Sequence, residues 1–265
     1  MSLATVDDIV AGLASAQRIP YYKTLSAPKA AGAFQSAWLS GGMPGAGSAS
    51  PAFNAGAGYA CDKSTTGAFP YSNAAVQNWL ARISGLSSQP GTIILADRLW
   101  SCSGMGFANS TYTVTTPGSL PARITDNGVG CELWVEQFVA AGSASGTLTA
   151  NYLNTAGASK SGVLGAVVSA PVVGQMQQVP LQAGDLGIKQ LTSVTNSATW
   201  TSGGWGMTIL KRIAEIPIGQ SGINTVLDWA ACLAAIPADA CIMAFFSAQN
   251  TTAPNISGIA AVIDK

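Results

Sequence analysis

The sequence predicts a mainly β protein: an antiparallel β-sandwich of jelly-roll-like character, preceded by a short N-terminal helix and a long extended arm. Three observations lead there. Short apolar or alternating runs recur from about residue 75 to the end, most of them bounded by Gly, Ser, Asn or Pro turns. Almost no helical periodicity lies between them, which argues against the crossovers that a parallel α/β sheet needs. No internal repeat of 20–50 residues is visible, so a propeller or solenoid is not expected.

The helix comes first. Thr5-Val-Asp-Asp8 has the form of a capping box, and Ile9, Val10, Leu13 and Ala14 follow at helical spacing to about residue 18. A helix this short is marginal alone and has to dock on something. Residues 23–72 then show no lasting period; Gly41-Gly42-Met43-Pro44-Gly45 and Asn54-Ala-Gly-Ala-Gly58 punctuate them. Tyr21, Tyr22, Phe34, Trp38, Phe53, Tyr59, Phe69 and Tyr71 nevertheless run through this part, and aromatics at that density imply burial. The expectation is an arm over residues 1–74, laid on a partner or on its own domain, ahead of a β-sandwich domain over residues 75–265. Ordering some fifty irregular residues costs about 1–2 kcal/mol each, more than the burial of four aromatics returns. On that reasoning the arm anchors the protein to an assembly more than it stabilises the core, and a chain lacking residues 1–72 should still fold. Ile9, Leu13, Tyr21, Tyr22, Phe34, Trp38, Phe53 and Tyr59 are the candidate assembly-interface residues.

Strands are expected at 76–84, 92–100, 110–116, 130–140, 147–153, 163–168, 177–181, 188–195, 205–213, 240–248 and 258–264. Ile93-Ile94-Leu95-Ala96 is a continuous apolar run, the pattern of a strand covered on both faces. Residues 130–140 alternate, with Glu132, Trp134 and Glu136 on one side and Cys131, Leu133 and Val135 on the other. A second short helix is expected over 227–236, stopped by Pro237.

Charge is scarce. Only 9% of the 265 residues are Asp, Glu, Lys or Arg, twelve of each sign, against about 25% in an ordinary soluble domain. A balance of zero lacks the basic footprint of a protein that tracks nucleic-acid phosphates or an anionic membrane, so neither is an expected partner. So few charges over roughly 11,000 Å² of surface leave it poorly protected against association. The composition therefore favours a protein covered by neighbours. There is no basic n-region before the first apolar residues and no apolar run of spanning length, so neither export nor membrane insertion is expected.

Chemistry is equally scarce. The chain has no histidine, which excludes a Ser-His-Asp triad, a Cys-His dyad and an H-E-x-x-H metal site. G-x-S-x-G, S-x-x-K, the P-loop and G-x-G-x-x-G are absent as well. Glu132 and Glu136 form the best carboxylate pair, but on one strand they stand about 13 Å apart, beyond glycosidase spacing. The plainer expectation is a wetted face with Trp134 between two solvated glutamates. Asp97-Arg98 reads as an ion pair at a strand end, and Asp126-Asn127-Gly128 as a turn rather than a calcium loop. The five cysteines are expected as reduced, buried thiols, with a Cys61–Cys102 disulfide left open. No enzyme activity, cofactor or metal is expected. Seven tryptophans keep a carbohydrate- or receptor-binding module as the alternative function.

The series Ile94-Leu-Ala-Asp-Arg-Leu-Trp100, Thr125-Asp-Asn-Gly-Val-Gly130, Glu132-Leu-Trp-Val-Glu136, Ala150-Asn-Tyr-Leu-Asn-Thr-Ala-Gly157, Val179-Pro-Leu-Gln-Ala-Gly-Asp-Leu-Gly-Ile188 and Trp205-Gly-Met-Thr-Ile-Leu-Lys-Arg-Ile213 resembles virion structural proteins of tailed bacteriophages. Tyr21-Tyr22-Lys23 and Ala33-Phe-Gln-Ser-Ala-Trp38 look similar too. The resemblance implies a capsid-associated decoration or minor capsid protein, bound to a major capsid protein and to its own copies as a homotrimer, in a virion assembled in the bacterial cytoplasm. The alternative it leaves is a receptor-binding module of a tail or fibre.

Overall fold

The computed structural model describes residues 5–49, 58–74, 77–106, 110–143, 146–197 and 201–264, with backbone alone at 110 and 115–119. Helix α1 (Val6–Ala14) is followed by strands β1 (Gln17–Thr24), β2 (Phe34–Ser36), β3 (Gly42–Met43), β4 (Gly58–Ala60), β5 (Asn78–Ser87) and β6 (Gly91–Cys102). Next come β7 (Ser110–Ser119), β8 (Cys131–Val139), β9 (Leu148–Asn154), β10 (Ser159–Leu164), β11 (Gln175–Val179), β12 (Ile188–Asn196) and β13 (Gly204–Ile218). The chain continues through β14 (Thr225–Leu227), helix α2 (Trp229–Cys232), β15 (Ala234–Ile236), β16 (Ile242–Ala248) and β17 (Asn255–Asp264). The protein is mainly β and sandwich-like, and its sheets are antiparallel, as the turn-bounded alternation predicted.

The chain divides into two compact units. Of the described residues, 5–47, 62–97 and 212–264 form the first, and those within 48–61 and 98–211 form the second; β6 and β13 contribute to both. In the first unit, a sheet of order β14-β5-β17-β1-β3, with β15 also on β5, lies over β2, β16 and the first half of β6. Ile19 and Tyr21 from β1, Ile83 from β5 and Val262 from β17 meet Ile93, Leu95, Phe246 and Ile216 in one core. A register shift at Ala261/Val262, opposite Leu80 and Arg82, is a bulge that lets Leu80 and Ile83 both face inward although three residues apart. The second unit pairs the sheet β10-β9-β12-β7 with β13, β8 and β11, and Leu148, Tyr152, Leu191 and Val194 pack on Leu133, Met207 and Ile209.

The capping box forms as the sequence predicts: Thr5 Oγ1 accepts from the Asp8 amide at 3.2 Å, and Asp8 Oδ2 from the Thr5 amide at 3.1 Å. The helix stops at Ala14, four residues early, because β1 begins at Gln17. Its apolar face docks on the sheet, with Ile9 against Ala81 and Ile263. The second expected helix shrinks to α2, a single turn capped by Asp228, and its remainder is β15.

The greatest departure concerns the arm. Residues 17–24 are a full strand in register with β17 from Gln17↔Val262 to Thr24↔Asn255, and β3 pairs on its other side. Ile19, Tyr21 and Lys23 alternate inward. The two residues that disguise this period are Pro20, which forms no ladder with β3, and Lys23, a cation on the buried face. Trp38 is 1% exposed and lies under Gly47, whose amide donates to the Trp38 carbonyl at 2.7 Å. Tyr21 and Phe69 stack at 5.4 Å between ring centroids within the core. Residues 5–47 and 62–74 thus belong to the first unit's packing, so a division at residue 74 does not match the compact units, and loss of residues 1–72 would remove a central strand. Burial over residues 23–72 extends beyond the aromatics to Leu25, Ala37 and Ala68, and Phe34–Ser36 pair with β16, so packing within the first unit offsets the ordering cost that four aromatics alone would not.

Candidate functional site

The strongest polar cluster sits in the second unit, at Arg98, Ser101, Glu136 and Thr208, all 0% exposed. Arg98 Nη2 lies 2.7 Å from Glu136 Oε2 and donates to Ser101 Oγ at 2.7 Å. Thr208 Oγ1 donates to the same Glu136 oxygen at 2.8 Å. Burial alone would lower the Arg98 pKa, but the Glu136 carboxylate beside it holds it above the ordinary guanidinium value. Without solvent access and with its charge already compensated, this carboxylate is placed to fix the sheet rather than to move a substrate proton.

That finding corrects the expected wetted face. β8 is paired on both sides, by β11 and β13, and is buried on both faces: Trp134 is 0% exposed. Glu132 accepts the Trp134 indole N–H at 2.9 Å instead of flanking it in water. The strand alternates as predicted, but the burial of Glu136 depends on Arg98, which sequence spacing does not reveal. Asp97 and Arg98 likewise stand within β6 rather than at a strand end. Neighbours on a strand face opposite ways, and Asp97 accepts the Cys241 amide at 2.8 Å.

The turn at Asp126 is as expected: Asn127 and Gly128 have φ of 56° and 85°, and Asp126 Oδ1 accepts the Gly128 amide at 3.2 Å. Its other oxygen takes Lys211 Nζ at 2.6 Å, and this bond lowers the Asp126 pKa. Among the described residues no three Cys, Asp or Glu gather as a metal-ligand set. All five cysteines are free and buried, including Cys61 and Cys102; burial raises the Cys102 thiol to about 12.

The candidate interface residues scatter. Ile9, Tyr21 and Trp38 are buried within the first unit and have no surface to offer. Leu13 is half-buried beneath α1, and Phe34 packs on Phe245 at 6.0 Å. Tyr59 is half-buried on β4, paired with Ser101. Phe53 lies outside the described residues. Only Tyr22, 48% exposed, remains as an open aromatic, and across the strand pair from it is Met43, also exposed.

Other exposed apolar side chains were not singled out from sequence: Val6 and Val10 on α1, Val226 and Ile259 in the first unit, and Val163 and Leu186 in the second. Val226 on β14 and Ile259 on β17 sit at outward positions, so the clue was apolar residues where an alternating strand carries polar ones. The described tryptophans form no platform. Trp38, Trp100, Trp134 and Trp205 are fully buried, Trp79 and Trp229 pack beside α1, and Trp200 lies outside the described residues. No described helix is long and apolar enough to cross a membrane.

No protein-family model matches the chain, and no curated protein does. Among solved structures, the D431N mutant VP2 protein of infectious bursal disease virus, from derived T=1 particles, aligns over 94% of this chain and 77% of that one, at 8% identity and a TM-score of 0.19. A score that low supports no conclusion about fold or role.

Proposed function

We propose that the protein is a structural component of a viral particle, of the capsid-associated decoration or minor capsid kind, that binds a capsid shell and its own copies. The observation that carries this reading is the surface. At least four of the 24 charged residues, Lys23, Asp97, Arg98 and Glu136, are spent inside the protein, so no more than 20 remain to guard its surface. Apolar side chains stand on both units in place of the missing charges, with Leu186 69% and Val10 57% exposed. Exposed apolar groups with few charges between them favour contact with other proteins. The likeness of the sequence to tailed-bacteriophage virion proteins supplies the setting.

The test is the position and copy number of the chain on purified particles, by quantitative mass spectrometry and labelling in cryo-electron microscopy. Many tens of copies on the head support the proposal. Six or fewer at the tail, or absence from the particle, overturn it.

A further inference from the structure

The outer face of the first unit's sheet can be laid out row by row from its register. Arg18 on β1 pairs with Ala261 on β17, which pairs with Arg82 on β5, so the two arginines flank one small residue about 10 Å apart. The adjacent row runs Pro20, Ile259, Ser84 and Val226, and the one after it Met43, Tyr22, Ser257 and Leu86. Ile259, Val226, Tyr22 and Met43 are all exposed. Arg18, Arg82, Val226 and Ile259 line a cleft of about 240 Å³ whose edge is Leu13 of α1. Neither guanidinium group has a hydrogen bond or ion pair among the described residues.

α1 forms a ridge beside this cleft. Ile9, Gly12 and Leu13 face the sheet, while Val6, Val10 and Ala14 point outward, together with Asp7. A surface helix on a sheet normally turns a polar face to water; one apolar on both sides is a helix covered on both sides. The Asp7 carboxylate, like the two guanidinium groups, makes no hydrogen bond or ion pair among the described residues.

We infer that a second copy of this chain docks on this face, the α1 ridge of each copy seated in the arginine cleft of the other. Ridge and cleft are complementary in both respects, two valines and a carboxylate against a cleft that offers Val226 and Ile259 beside two unpaired guanidinium groups. They are also neighbours on one surface, so a twofold axis satisfies both at once, the condition for an isologous dimer. The three long strands β1, β5 and β17, about 4.8 Å apart and at least eight residues long at about 3.3 Å each, give a face of roughly 15 by 25 Å, which the shorter β14 and β3 and the α1 ridge extend toward the ~800 Å² per partner of a stable interface. The inference deepens the proposed assembly role by naming one contact surface, but its test needs no particle.

Sedimentation velocity of the full chain at about 50 μM should show twice the chain mass. Asp7→Lys places like charges across the contact, as does Arg18→Glu with Arg82→Glu, and each variant alone should associate at least tenfold more weakly. Mixed one to one, the two variants should restore the dimer, because each ridge then meets a cleft of opposite sign. A surface merely damaged by substitution gives no such rescue. A monomeric wild type, full association of either variant, or a mixture that stays monomeric overturns the inference. Particle incorporation measured with the same variants is read separately, so dimerisation can fail while the assembly role stands, or the reverse.

Discussion

Removing one partner of the Arg98–Glu136 pair should be far more damaging than removing both. With Arg98→Met, Glu136 stays as a carboxylate 0% exposed, with the Thr208 hydroxyl at 2.8 Å in place of a guanidinium. With Glu136→Leu, the guanidinium keeps Ser101 Oγ at 2.7 Å as a neutral acceptor but loses its counter-charge. Breaking a buried pair in this way costs about 3–5 kcal/mol, whereas replacing both members by apolar side chains of similar volume is neutral or stabilising. The double variant should therefore lie within about 1 kcal/mol of wild type, with a coupling energy of several kcal/mol. Urea unfolding followed by tryptophan fluorescence reports on this region, since Trp100, Trp134 and Trp205 are buried in the same unit. With a slope of about 2 kcal/mol per molar, each single change moves the midpoint down by about 2 M and the double by less than about 0.5 M. If the double variant is as unstable as the sum of the singles, the two charges are not a coupled pair and the account of β8 fails.

Deleting residues 1–72 should leave the first unit unfolded, seen as loss of the cooperative thermal transition and a gain in protease sensitivity; a truncated chain that melts like wild type would restore the arm. Gly47→Ala would bring a methyl within 2.4 Å of the Trp38 ring and should cost about 1–3 kcal/mol, read as a lower melting temperature. Lys23 is 1% exposed, and burial lowers its pKa to about 8, so between about pH 8 and its unfolded value of 10.5 the unfolded chain binds more protons. Wild type should consequently gain stability relative to Lys23→Met as pH rises through that window, by at most about 3 kcal/mol, and a flat difference counts against a buried cation. Ellman's reagent should find five thiols in denaturant and almost none quickly in the native state, because all five are buried and free.

Much of the fold is legible where one residue type dominates a face. Ile93 to Ala96 is apolar without a break because β6 is covered on both sides, and the Asp126-Asn127-Gly128 turn follows from side chains that tolerate positive φ. What was hidden lay in residues whose compensation is distant in sequence. Lys23 obscured the inward face of β1 because the carbonyls of Ser40 and Gly45 that take its Nζ, each at 3.1 Å, come from a loop. Glu136 suggested a wet face because Arg98 was not visible as its partner. The candidate surface is hidden in the same way: aromatics in an irregular stretch look like contact residues, but Tyr21 and Trp38 are core. The exposed residues that mark the sheet face are aliphatic side chains at outward positions, apparent only once the register is known.

The first unit's sheet places β17 between β1 and β5, although more than 160 residues separate β5 from β17 and the whole of β7 to β12 lies between them. During synthesis, residues 98–211 therefore emerge, and can condense, while β1 and β5 still wait with open edges for the strand that joins them. A ribosome stalled after β13 would release a chain half folded and half adhesive. Such an intermediate gives the cell a reason to hold the nascent protein with a chaperone, and it makes β17 the segment whose late arrival commits the molecule to its native state.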